Sequence, residues 1–171
     1  ILPLPGIPGD MILDGPVTYS VAMANPLKYI ISPAQPGDWL IDTETPANIT
    51  KRNNLWSNGN DNDNPCPAGW RIPTRTELEE ILNVYVINKE FDESKRRFVV
   101  PAQDGQNLNF PFAGFHGWRD GATGLNSRIL SWSSTLQPDN TKAFYLNIYT
   151  TNNQAIHQHE LGYAFGVRCV R

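Results

Sequence analysis

The sequence predicts a single α+β domain. Three observations carry that expectation: a capped amphipathic helix after Pro73, four short strand patterns from Ile129 onward, and proline- and glycine-broken chain elsewhere. A chain of 171 residues fits one domain and can bury a core without leaning on cross-links. Its 14 prolines and 13 glycines, set among few long apolar runs, favour short elements joined by loops. A net charge of −3 and a pI near 5.6 argue against a nucleic-acid partner or an anionic membrane surface. No stretch approaches the roughly 20 apolar residues of a membrane span.

The elements follow in order. Ile1 to Gly9 (ILPLPGIPG) is a lead-in resembling the cut end of something longer, so a membrane connection is expected only through an upstream lipid anchor. Residues 10 to 50 read as short extended pieces between prolines, with no helical period and one compact apolar cluster, Asp38-Trp39-Leu40-Ile41. Arg52 to Asn64 is rich in Asn, Asp and Gly and reads as a loop. Asp61 and Asp63 invite calcium, but no closing glutamate follows, so a solvated turn is expected. The helix opens at Thr74, with Glu77 at the capping-box spacing, carries its stripe on Leu78, Ile81, Leu82 and Tyr85, and ends before Asn88. Lys89 to Arg97 reads as a connection, Phe98 to Val100 as a strand, and Phe110 to Phe115 as an aromatic core patch. Four strands are then predicted at Ile129–Ser133, Ala143–Thr150, Gln154–His159 and Ala164–Val170.

Alternation sorts the side chains of the second of these strands. Phe144, Leu146 and Ile148 face one way; Tyr145, Asn147 and Tyr149 face the other. In the last strand Phe165, Val167 and Cys169 share a face, which turns Cys169 inward. The chain has two cysteines, Cys66 and Cys169, and composition alone leaves buried free thiols and a single disulfide both open. Trp39, Trp56, Trp70 and Trp132 are expected in or at the edge of the core, and Trp118 in solvent.

The block Asn64-Pro-Cys-Pro-Ala-Gly-Trp-Arg-Ile-Pro-Thr-x-x-Glu-Leu78 resembles the Fibrobacter succinogenes major paralogous domain, a bacterial extracellular module. The likeness continues through Phe112-Ala-Gly-Phe115, Asp120-Gly121, Trp132-Ser-Ser-Thr135, Ala143-Phe-Tyr-Leu146 and Gly166-Val-Arg-Cys-Val170, over about residues 38 to 171. It implies a C-type-lectin-like fold, also similar to formylglycine-generating enzymes, with one or two helices beside a twisted antiparallel sheet. Residues 1–37 are then a lead-in or linker that belongs to a preceding module or packs along the sheet, and 38–171 the domain. An oxidising compartment follows, and with it a Cys66–Cys169 disulfide. The family's settings are bacterial surface proteins, lipoproteins and fimbrial tips. The function implied is adhesion or ligand binding at the outer-membrane surface or outside the cell, toward a glycan or protein. A hypervariable receptor diversified by a retroelement, or a structural pilus or envelope module packed among neighbouring domains, are the alternatives.

Four kinds of site were weighed. Catalysis is not expected: the catalytic relatives of this fold use paired reactive cysteines, and the two here suit a structural tie. His157 and His159, two apart on a strand, are half of a metal site that Glu160 or His116 would extend, yet two histidines fall short of one. Gln137-Pro138-Asp139 matches a calcium-dependent galactose motif, but Phe144 to Asn147 lacks the partner block, and the tripeptide also makes an ordinary turn. No metal or cofactor is therefore expected. The reading adopted is a calcium-independent binding surface: Tyr145, Asn147 and Tyr149, joined by Gln154 or by His157 and His159, combine rigid aromatic rings with versatile amides. The loops carrying Trp118, Arg119, Asp120 and Asn126, and Gln137, Asp139 and Asn140, would rim it.

Overall fold

The long helix begins where the sequence places it. In the computed structural model, which describes residues 9–32, 39, 40, 54, 56, 64–88, 90–92, 97–100, 108–117, 128–139, 141–148 and 154–171, it spans Arg75–Asn88. Its capping box is complete: the Thr74 amide donates to Glu77 Oε2 at 2.8 Å, and the Glu77 amide returns to Thr74 Oγ1 at 3.3 Å. Arg71 adds a two-pronged ion pair to the same carboxylate, at 2.7 and 2.5 Å. The Arg71 guanidinium, with help from Thr74, holds the Glu77 carboxyl down at about 2.

A shorter helix precedes it. α1 (Tyr19–Ala24) lies in a region predicted to be extended, with Thr18 Oγ1 accepting from the Val21 amide at 3.3 Å as its N-cap. It separates β1 (Ile12–Asp14) from β2 (Tyr29–Ile31), and these two strands pair in parallel. The long helix is therefore α2. After it come β3 (Glu90–Asp92), β4 (Arg97–Val100) and β5 (Leu108–Pro111), an antiparallel sheet in that order. β3 occupies part of the stretch read as a connection.

The main sheet is antiparallel, in the order β6 (Ile129–Leu136), β7 (Lys142–Ile148), β8 (Gln154–Glu160). Its register pairs Ile129 with Ile148 and Trp132 with Tyr145 across β6 and β7, and Tyr145 with His157 and Ala143 with His159 across β7 and β8. Directly opposed residues share a face. One face carries Ile129, Leu146 and Ile148, which pack with Leu78 of α2 and with Phe98, Phe110 and Phe112 into the larger core. Ile81, Leu82 and Ile156 close its edges.

The other face is covered too. Leu130, Trp132, Ala143 and Tyr145 are buried there beneath Phe115, Leu161, Tyr163 and Phe165. The covering chain is the C-terminal segment, predicted as a continuous strand. It instead touches the fold through isolated bridges, Ala164 to His116, Gly166 to Ser131 and Val170 to Arg71. Gly166 suits this close approach, since a Cβ there would meet the Leu130 carbonyl oxygen at 3.3 Å. Along the segment Phe165 packs inward, Val167 is exposed and Cys169 only half-buried, so the expected shared inward face does not form.

Cys66 and Cys169 form a disulfide with Cα atoms 5.7 Å apart, across 103 positions of chain. Beside it Arg71 and Val170 exchange both backbone hydrogen bonds at 2.8 Å. Gly69, at φ 77°, makes the turn that brings Arg71 back to this point, and Trp70 is thrown outward, 42% exposed, against its expected place at the core edge. Trp132 is buried, while Trp39 and Trp56 are half-buried.

Two predictions follow from the helix start and the clasp. Glu77→Gln should lower stability by about 1–2 kcal/mol at neutral pH, cap loss included, because the ion pair is partly open to water. The depressed carboxyl stabilises the fold above its unfolded value near 4.5 and loses that effect as pH falls toward about 2. Urea titrations of both proteins from pH 7 to pH 2 should therefore converge at the acid end. Replacing both cysteines by serine should cost about 2–5 kcal/mol, read as a fall in Tm that dithiothreitol reproduces in the native protein.

Candidate functional site

The predicted binding surface is corrected first. Tyr145 and Asn147 do lie together on the face opposite Leu146, as alternation requires, but each is only 9% exposed. Tyr145 packs edge-on against Trp132 at 5.7 Å and tilted against Phe165 at 4.7 Å, and burial pushes its phenol upward. The expectation that both residues stand in solvent fails: Phe165 of the C-terminal segment packs on Tyr145, and Asn147 is buried on the same face. Asn147 Oδ1 is buried without a hydrogen-bond partner among the described residues.

The remaining site residues divide. Trp118, Arg119, Asp120, Asn126, Asn140 and Tyr149 lie outside the described residues. Gln137 and Asp139 belong to the β6–β7 hairpin. The Gln137 amide donates to the Lys142 carbonyl at 2.9 Å, and Asp139 Oδ1 accepts from the Thr141 amide at 3.1 Å and its hydroxyl at 3.0 Å. Those two donors hold the Asp139 carboxyl below its usual range. The carboxylate thus closes a turn.

His157 and His159 share one face, as their spacing predicted, and the strand register puts that face on the side of Tyr145. His157 is exposed; His159 packs on Tyr163 at 3.9 Å between ring centres and touches the Glu160 carboxylate through Nδ1. Burial works to raise the Glu160 carboxyl, yet its own amide, His159 and Lys142 together outweigh it and hold it low. His116 sits apart, bridged to Ala164 and packed on Tyr29 at 5.3 Å. Among the described residues no group of three or more His, Cys, Asp or Glu is placed to hold a metal ion.

What the tail builds instead is an aromatic cleft of about 400 Å³. Trp132 and Phe165, stacked at 4.4 Å, form its base, and the Trp132 Nε1–H donates to the Tyr163 carbonyl at 3.2 Å. Tyr163, Trp39 and Trp56 are its half-buried walls, and Lys28 and Tyr29 approach from the start of β2. Tyr29 is fixed by its hydroxyl, which donates to the Gly117 carbonyl at 3.0 Å, so residues before position 38 contribute to the same concavity. Indole and phenol rings at this density offer flat apolar faces edged with hydrogen-bonding groups, the make-up of a small-ligand site.

Sequence reasoning missed this cleft because its lining comes from six separate parts of the chain. The local signal was the Tyr163-Ala-Phe165 alternation after Gly162, which marks two rings on one side of the tail. No helix among the described residues is long and apolar enough to cross a membrane. The disulfide is compatible with an extracellular setting. Comparison with family models, with curated proteins and with solved structures returned no match.

Tyr145→Ala should destabilise the domain by about 3 kcal/mol, the scale of truncating a buried ring, whereas Tyr145→Phe should cost far less. Thermal melts of the two variants distinguish this core role from that of a solvent-facing contact, which alanine would leave unchanged.

Proposed function

We propose that this chain is a non-catalytic recognition domain of the C-type-lectin-like class, displayed outside a bacterial cell, that binds a glycan in its aromatic cleft. The observation that carries the reading is the cleft itself: several half-buried rings turned toward one open volume of about 400 Å³. Pyranose rings present flat C–H faces that lie well on indole and phenol surfaces, and their hydroxyls pair with the polar edges left around such a site. A volume of this size falls in the range of small-molecule pockets.

Two further features support it. Both sulfurs are bonded to each other, so neither is available as the thiolate nucleophile or metal ligand that the catalytic relatives of this fold need. The Asn64–Leu78 and Gly166–Val170 blocks, which carry the resemblance to the Fibrobacter major paralogous domain, also hold the tail that builds the cleft wall. Surface display, and attachment to a lipoprotein or fimbrial tip, belong to the same proposal and rest on that resemblance. Contacts from the 118–127 loop belong to it as well.

A glycan array probed with the native protein should give a defined set of bound saccharides. Trp56→Ala should reduce binding to that set at least tenfold in calorimetry, and Trp39→Ala should repeat the loss, with both variants retaining a cooperative thermal melt. A blank array, or affinity untouched in both variants, rejects the cleft as the binding site.

A further inference from the structure

Resting on the cleft as the glycan site, we infer that its ligand is an anionic sugar, held with its ring against the indoles and its acidic group against the Lys28 ammonium. Among the described residues lining the cleft, Lys28 is the one that carries charge at neutral pH. The others are aromatic, aliphatic, proline or glycine. The ammonium makes no ion pair with any described residue. The nearest acidic residue in sequence to the tail wall, Glu160, is already engaged by His159 and Lys142.

The position of that cation is set by the backbone. The Lys28 amide donates to the Asn25 carbonyl at 3.0 Å, closing the turn after α1, and Tyr29 next to it is tied to Gly117. The lysine stem therefore leaves from a fixed point at the cleft edge. Against a chain of net charge −3, a cation with no ion pair among the described residues stands out at this spot. Among the described residues lining the cleft, it is the one group that favours an approaching anion.

The charge also separates two ligand classes that aromatic sites serve. A clustered set of rings would attract a quaternary ammonium group through cation–π contact, but an ammonium at the mouth repels it. A neutral sugar would gain the stacking and leave Lys28 unused. An acidic sugar gains both, and the pair forms beside apolar rings that limit water on one side.

The test compares uronic acid, sialic acid and sulfated oligosaccharides with their neutral counterparts on one array, using the native protein and Lys28→Gln. The expected bound set is anionic, and the three acidic arms identify which group the lysine takes. In calorimetry Lys28→Gln should weaken the bound acidic saccharide about fivefold, the upper range for a pair open to water, and raised salt should do the same to the native protein alone. Its effect on a neutral analogue should be absent. A bound set that is neutral and falls with Trp56→Ala but not with Lys28→Gln overturns the anionic ligand and leaves the cleft standing. A blank array overturns both. Lys28 is exposed, so its replacement leaves the melt unchanged and the comparison interpretable.

Discussion

The structure depends on one constraint, the clasp that returns the end of the chain to the start of α2. Two kinds of bond make it: the Cys66–Cys169 disulfide and the paired backbone hydrogen bonds between Arg71 and Val170. Closing a loop of about a hundred residues removes roughly 4–5 kcal/mol of disorder from the unfolded chain on the entropy model. The more local consequence is geometric. With Cys169 and Val170 held at Arg71, the preceding residues have to run along β6, where the Gly166 amide reaches the Leu130 carbonyl and its own carbonyl accepts from Trp132. Phe165 then has one place to go, onto Trp132 and Tyr145. The second core and the floor of the cleft are therefore products of the clasp.

The short block from Asn64 to Leu78 gains a physical reading from this. Asn64 Oδ1 accepts from the Cys66 amide, and its Nδ2 reaches the Trp70 carbonyl, which folds the turn around Gly69. Ile72 and Pro73 are buried, and the Pro73 carbonyl accepts from Ser134 of β6. Thr74 and Glu77 cap α2, and Arg71, whose backbone belongs to the clasp, sends its side chain to that cap. Disulfide, sheet contact and helix start are thus fixed within a dozen residues. A block that does so much has little room for substitution without cost to the fold.

How far the sequence speaks follows the range of each interaction. α2 was legible from its cap to within a residue of its end, because a capping box and an apolar stripe are signals within a few residues of one another. The β6–β8 strands were legible for the same reason, to within a few residues of their ends, and so were the two faces of β7 between Phe144 and Ile148. The six-residue α1 was not, since it is under two turns long and too short to show a period, although Thr18 after Pro16 is a recognisable cap. The tail failed differently. Its alternation of Phe165, Val167 and Cys169 is real in sequence, but irregular chain pinned at separate bridges turns each side chain by its own contact. The expectations of a C-type-lectin-like topology and of a binding loop over 118–127 rest on motif likeness, which local physics cannot supply.

The case of Tyr145 shows why alternation misleads about exposure. Period two says that Tyr145 and Leu146 point to opposite faces; it carries no information on whether the second face meets water. An antiparallel sheet in a small domain usually leaves one face wet, and tyrosine with asparagine is the composition such a face shows. Here Leu161, Tyr163 and Phe165 of the C-terminal chain pack over the part of it around Tyr145. On the same face Asn147 Oδ1 is buried without a partner among the described residues, a desolvation cost that an apolar residue would not incur. The C-terminal chain also moves the exposed aromatic surface away from the strand and onto the tail, where Tyr163 and the two half-buried tryptophans surround open space. On the proposed reading, recognition and stability fall to different rings around the cleft. Trp132, Tyr145 and Phe165 hold the sheet to its cover, while Trp39, Trp56 and Tyr163 line the open space beside them.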